Sequence, residues 1–385
     1  MRLGDIIEIK HGYAFSGDHI IEEDNNVVLV TPGNFRIGGG FQEKKCKFFN
    51  GDLPSDYILN EGDFIVTMTD LSKTIDTLGY SAIVPKSKNR IYLHNQRIGL
   101  VHFKNDICDR GYIYWLMRTR DYQRTIANTS TGSTVHHTSP SKIYDYEFET
   151  PDKAAQHRVA SILFHYDSLI ENYQKQIKLL EESAQHLYKE WFVDLRFPGH
   201  ENTKILDGVP EGWEKKKVGN LISKVLRTKQ VSANNYLYSG RFPVIDQSRN
   251  YIAGYTNDIE SLVEVTIPYI VFGDHTRVLK YVPFSFAKGA DGTQLIMSND
   301  LERMPQSLFY NSLIEIDLSN YSYARHFKYL KEESILVPSK DIAQRYDKVV
   351  SQHCQSIQKS RDQIRHLTEA RDRLLPKLMS GKIEV

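Results

Sequence analysis

The 385 residues contain only three cysteines, Cys46, Cys108 and Cys354, widely spaced and without a C-x-x-C pair. An odd, scattered set of this kind excludes a disulfide framework and a structural zinc, and it fits a reducing compartment. Excess charge of either sign is also missing. Forty-nine Lys and Arg face 48 Asp and Glu, a net +1, so any basic surface for a polyanion must be local. No apolar run approaches the ~18 residues of a membrane span, and the stretch from Met1 to Phe15 lacks a signal-peptide core. A soluble, cytoplasmic protein with no membrane partner is expected. No two prolines are consecutive, which excludes an Asn-Pro-Pro-Tyr pocket for a flipped adenine. Gly381-Lys382 runs into Ile383 without the upstream glycine of a phosphate-binding loop. Glu8-x-Lys10 and Glu43-x-Lys45 lack the upstream Pro-Asp of a nuclease motif. No catalytic residues and no metal ligands are expected.

What is present is an ordinary globular mixture, 40% hydrophobic and 25% charged, in a chain long enough for two or three domains. The plan runs twice. At one constant offset Pro151 falls on Pro338, Lys153 on Lys340, Arg158 on Arg345 and Ile170 on Ile357. Gln176-Ile177-Lys178-x-Leu180-x-Glu182 returns as Gln363-Ile364-Arg365-x-Leu367-x-Glu369. In the first copy Tyr166, Leu169, Tyr173, Ile177, Leu180, Ala184, Leu187 and Trp191 are spaced by threes and fours, which predicts a coiled-coil seam. Val349, His353, Ile357, Ile364, Leu367, Leu374 and Leu378 make a weaker stripe in the second. Each copy predicts a rod of roughly 60 Å that cannot stand alone in water. Packing one rod antiparallel on the other buries both stripes.

Ahead of each rod lies a block with β grammar. Asp63 to Val66, Tyr80 to Val84, Val263 to Ile267 and Tyr269 to Phe272 alternate with turn clusters such as Gly38-Gly39-Gly40 and Asp291-Gly292. The openings correspond, Arg2-Leu3-Gly4-Asp5-Ile6-Ile7 with Lys217-Val218-Gly219-Asn220-Leu221-Ile222, while the first block is the longer. The expected architecture is α+β: two β-rich heads, residues 1–150 and 198–337, separated by two long antiparallel helices, 151–197 and 338–385, in a pseudo-two-fold repeat.

Several phrases carry a resemblance across the whole chain. Leu187-Tyr188-Lys189-Glu190-Trp191-Phe192-Val193-Asp194 and Leu375-Pro376-Lys377-Leu378-Met379-Ser380-Gly381-Lys382-Ile383 resemble the two helical regions of the specificity subunits of Type I restriction-modification systems. Asn95-Gln96-Arg97, Thr131-Gly132-Ser133-Thr134 and Ile270-Val271-Phe272-Gly273-Asp274 are fainter echoes. The resemblance implies two target recognition domains, each reading half of a bipartite site in double-stranded DNA. It also implies helices that dock two methyltransferase subunits, and restriction-translocase subunits that join them. S-adenosylmethionine, ATP and Mg are then expected on those partners, with no cofactor on this chain. One departure, Gln344-Arg345 where the first rod has Gln156-x-Arg158, leaves the equivalence of the two docking ends open.

By side-chain chemistry, Lys73, Asn95, Gln96 and Arg97 suit base edges, although Asn95 equally suits a turn cap and Arg97 a surface ion pair. Gly132, Ser133, Thr134, His136 and His137 form a polar loop suited to phosphates, with a plain solvated loop the competing reading and a metal site disfavoured. In the second block Arg277, Lys288 and Gln294 sit in or beside turn-forming loops. Gln156, Arg158, Trp191, Phe192, Pro376, Lys377 and Leu378 are the expected partner contacts, with core packing the competing use of the aromatics. Two other readings remain open, a coiled-coil adaptor between protein partners and the separate DNA-binding part of another restriction enzyme.

Overall fold

The structure, a computed structural model, describes every residue except 45, 73, 227 and 322–324. The chain divides into two compact units, Met1–Ile170 with His366–Val385, and Glu171–Arg365.

In the first unit the strand Phe64–Thr67 is buried along its whole length. Alternation explains this, because Phe64 and Val66 enter one core and Ile65 enters another on the opposite face. The strand is third in an antiparallel sheet ordered Ile7–His11, Ile98–Phe103, Phe64–Thr67, Ser81–Ile83. A second sheet is ordered Ile20–Ile21, Lys47–Phe49, Val27–Val30, Ile91–His94, Ile58–Leu59. On the other side of the first sheet lie α1 (Arg110–Leu116), α2 (Arg120–Asn128) and α3 (Pro140–Tyr144). The side chains of Asp109 and Thr119 start α1 and α2 by accepting the backbone N–H of Tyr112 and Tyr122. The 36-residue helix α4 (Lys153–Tyr188) opens behind Asp152, whose carboxylate accepts the N–H of Ala155. It ends in one wide turn, Lys189–Val193.

The second unit repeats the plan. Its sheets are ordered Gly254–Thr256, Phe242–Ile245, Phe286–Lys288, Leu262–Val263, and Leu279–Val282, Tyr269–Gly273, Thr293–Ile296. The corresponding openings of the two heads each form a short 3-10 turn, Leu3–Asp5 and Val218–Leu221. Helices α5 (Gln306–Ile314) and α6 (His326–Glu332) precede the 40-residue helix α7 (Lys340–Met379). The expected strand at Val263 to Ile267 is short, Leu262–Val263, and just beyond it the N–H of Val265 donates to the Ser285 hydroxyl at 3.1 Å instead of to a ladder carbonyl.

Helices α4 and α7 run antiparallel within each unit. In the first, Asp167 meets Arg371, and Arg158 reaches the backbone of Val385. In the second, Glu181 pairs with Arg361 at 3.0 Å and the Tyr346 hydroxyl donates to Ala184 O. Most of the predicted seam is half-buried, with Ala184, Ile357 and Leu378 buried, but its phase slips at two points. Leu169 is exposed and Ile170 buried; Val349 is exposed and Val350 buried. The step of four from Tyr166 to Ile170 keeps the stripe on a straight helix of 3.6 residues per turn, and the heptad step to Leu169 does not. Among the described residues no helix is long and apolar enough to cross a membrane.

Candidate nucleic-acid interface

At one end of the first head, segments distant in sequence meet. Asn95 is buried, and its Oδ1 accepts the N–H of Arg97 at 3.1 Å, so it caps the turn between two strands. That leaves Gln96 and Arg97 exposed at the tip. Gln96 N–H donates to Tyr13 O at 2.9 Å, and Met68 N–H donates to Arg97 O at 3.0 Å. Beyond Met68, Thr69 and Asp70 pair with His137 and His136, and the His137 ring lies 3.1 Å from the Thr69 hydroxyl. The loop bearing the exposed Gly132, Ser133 and Thr134 closes at the Thr131 to His137 bridge. Gly132 has φ 104° and its absent Cβ would strike Val135 O, so this closure requires glycine. Lys73 lies outside the described residues.

Asp70 organises this end and was not apparent as a site residue from sequence. Its buried carboxylate accepts N–H groups from Ser72 (2.6 Å), Thr77 (2.7 Å) and Leu78 (3.1 Å) and the Thr77 hydroxyl (2.7 Å). Burial pushes its pKa up, but the hydrogen bonds from Thr77 and Ser72 outweigh burial and hold it below the usual value. The loop so held contains Ile75 at φ 49°, a conformation that costs a β-branched residue energy. A depressed carboxyl pKa contributes stability above the unfolded value, and that contribution is lost as pH falls through the folded one. Asp70→Ala is therefore expected to cost about 1–3 kcal/mol. Hydrogen exchange should then accelerate at Ser72, Thr77 and Leu78 at neutral pH; unchanged protection there would remove Asp70 from this role.

The second head reproduces the same strand-end arrangement. The hairpin of Tyr269–Gly273 and Leu279–Val282 turns through exposed His275, Thr276 and Arg277, the last with φ 61°. Buried Asp274 donates its N–H to Gly292 O at 2.7 Å, the counterpart of the bond from Met68 to Arg97. Its Oδ1 accepts the N–H of Phe327 at 2.8 Å, tying the tip to α6. Lys288 and Gln294 are half-buried on strands of different sheets, Gln294 opposite Phe272.

The expected partner contacts separate into two groups. Arg158, Pro376 and Lys377 are exposed and Trp191 is half-buried. Phe192 and Leu378 are core residues. Gln156 is buried, donating to Pro151 O at 2.9 Å and accepting the N–H of Asp109 at 2.8 Å, so its side chain fastens α4 to its own head. On α7, Gln344 is exposed and Arg345 pairs with Asp341 at 3.0 Å. The two helix starts therefore differ in structure as well as in sequence.

Sequence reading also missed an ion cluster in the first unit. The Arg118 side chain, 4% exposed, stacks 4.1 Å from the Trp115 ring and donates to Asp167 (2.8 Å), Tyr114 Oη (2.9 Å) and Gly38 O (2.9 Å). Arg371 holds the other Asp167 oxygen. A signal existed in the sequence. Asp167 stands between Leu163 and Ile170, and Arg371 between Leu367 and Leu374, at spacings that place a charge on each apolar stripe.

Residues 1–182 match the family model described as the Type I restriction modification DNA specificity domain. The MjaIX specificity subunit of a Type I restriction enzyme from Methanocaldococcus jannaschii is 25% identical over 315 residues, 74% of this chain and 72% of that protein. The EcoR124I/EcoR124II specificity subunit of Escherichia coli is 30% identical over 99 residues, 25% of this chain and 24% of its own length. The fold is that of the S subunit of a Type I restriction-modification system from M. genitalium, with a TM-score of 0.59 at 17% identity over 98% of this chain and 95% of that one.

Proposed function

We propose, from this chain's membership of the Type I restriction-modification specificity-subunit family, that each of its heads reads one half of a bipartite DNA target through the turn cluster at its strand ends. The subunit recognises DNA sequence and is not itself catalytic. The observation that carries the proposal is the repeated strand-end turn, fixed by Met68 to Arg97 in one head and by Asp274 to Gly292 in the other. Each turn presents polar side chains beyond the last ladder bond, where they can reach a groove without disturbing the core.

In the first head Gln96 and Arg97 have the donors and acceptors to pair with adenine and guanine edges. Gly132, Ser133, Thr134, His136 and His137 approach the backbone phosphates, and Arg277, Lys288 and Gln294 serve the second half-site. Residues 1–150 and 198–337 act as the two recognition domains, and 151–197 with 338–385 as the helical spacers. The spacers dock two methyltransferase subunits carrying S-adenosylmethionine, and restriction-translocase subunits using ATP and Mg complete the assembly. The surface available for docking includes Arg158, Trp191, Pro376 and Lys377.

Arg97→Ala in the assembled complex is expected to weaken target binding by about 1–3 kcal/mol and relax a single base position of one half-site. Log affinity should fall linearly with log salt. Competition binding with single-base variants of the target reads both. Salt-insensitive binding, or no DNA binding by the assembled complex, would instead favour an adaptor between proteins.

A further inference from the structure

The second head carries a brace beneath its reading surface. Lys280, on the strand Leu279–Val282, is buried, and its ammonium donates to Asp246 O at 2.7 Å and Asn250 O at 2.5 Å, closing the loop between them. Asp246 Oδ1 lies 3.7 Å from the same nitrogen. Burial pulls the Lys280 pKa down to about 8, against the pull of Asp246, so at neutral pH the group remains mostly charged. The loop is held from inside the head by a fixed cation on two carbonyls.

Gln247 stands on that loop and joins the two turns above it. Its Nε2 donates to Asp291 O at 2.8 Å, its Oε1 accepts the N–H of His275 at 3.1 Å, and its backbone O accepts the Thr276 hydroxyl at 2.6 Å. The surrounding glycines give independent support for a required close fit. A Cβ at Gly292 would lie 2.8 Å from Gln247 Oε1, one at Gly273 would strike Thr276 and Gln247, and one at Gly289 would strike Asp246. Only glycine admits the loop this close at all three places.

We propose that Gln247 and Lys280 are positioning residues for sequence discrimination by the second head, Lys280 fixing the loop and Gln247 locking the 274–277 and 291–292 turns in register. Lys280 is buried on two carbonyls and cannot touch a base, and the half-buried Gln247 already spends its amide on one bond to each turn. This rests on the reading of the heads given above. The brace sets the geometry of Arg277 and its neighbours, and geometry decides how strongly a mismatched base is rejected.

The test uses the complex assembled with its methyltransferase subunits, acting on duplexes with single-base changes in either half-site. For Gln247→Ala the ratio of matched to mismatched methylation at the second half-site is expected to fall about tenfold, the scale of one neutral hydrogen bond. The ratio at the first half-site should hold. Gln247→Glu keeps the acceptor for His275 and loses the donor to Asp291, so it should show the same loss. Lys280→Met, a substitution of similar size, should follow it. Undiminished discrimination in all three variants, or equal loss at both half-sites, overturns the proposal. If the wild-type complex rejects no mismatch in the second half-site, the reading of the heads fails instead.

Discussion

Replacing Asp167 with alanine is expected to destabilise the first unit by about 3–5 kcal/mol, the cost of leaving a buried ion pair without one partner. Asp167 sits between two guanidiniums, and the Arg118 side chain is almost wholly enclosed against Trp115. Burial raises the Asp167 pKa, but Arg118 and then Arg371 outweigh it and hold the carboxyl below its usual value. Alanine leaves both cations facing the site, with Arg118 unable to turn to water. Trp115 is the sole tryptophan of this unit, so a chain carrying Trp191→Phe and Trp213→Phe reports its unfolding by fluorescence. A loss below about 1 kcal/mol would mean that both guanidiniums are solvated in place, as at a surface pair.

Acid is expected to weaken the first head well before its carboxylates titrate. His94 is fully buried and bonded through Nε2 to Ile98 O at 2.8 Å, and its Nδ1 has no partner among the described residues. Burial is the main cause that pushes its pKa down to about 4, so the folded ring stays neutral where the unfolded ring is charged. The sign follows from proton uptake by the unfolded chain alone. Stability is full above pH ~6.5 and declines as pH falls to ~4, by up to about 3 kcal/mol for a shift of this size. Because His94 immediately precedes the turn that carries Gln96 and Arg97, the same window should loosen that turn. Urea unfolding of the wild type and of His94→Gln across this pH range checks it: the wild type should slope and the variant should be flatter. A wild type that is flat between pH 6.5 and 4 contradicts the burial argument.

The large plan was legible because it depends on periodicity. Pro151 and Pro338 mark the entries to helices, and spacing by threes and fours gave α4 and α7 and their antiparallel packing. The seam's exact phase was not legible, since choosing Ile170 over Leu169 depends on how far the helix departs from a heptad. The exposed tips were also readable, because turn-forming polar residues such as Gln96, Arg97 and Arg277 cannot be buried cheaply. The supports beneath them were not. Asp70, Gln247, Lys280 and Gln156 look like surface residues in sequence, and each is held by partners brought from elsewhere in the fold, three of them buried and Gln247 half-buried. Asn95 takes the turn-cap role that its sequence equally allowed.

The central claim is that two heads on one chain read independently. It is tested most directly by replacing residues 1–150 with the corresponding head of another specificity subunit and mapping methylated adenines across the host genome. The account predicts that one half of the modified sequence changes to the donor's and the other half persists. A new sequence in both halves, or the old sequence in both, would contradict it.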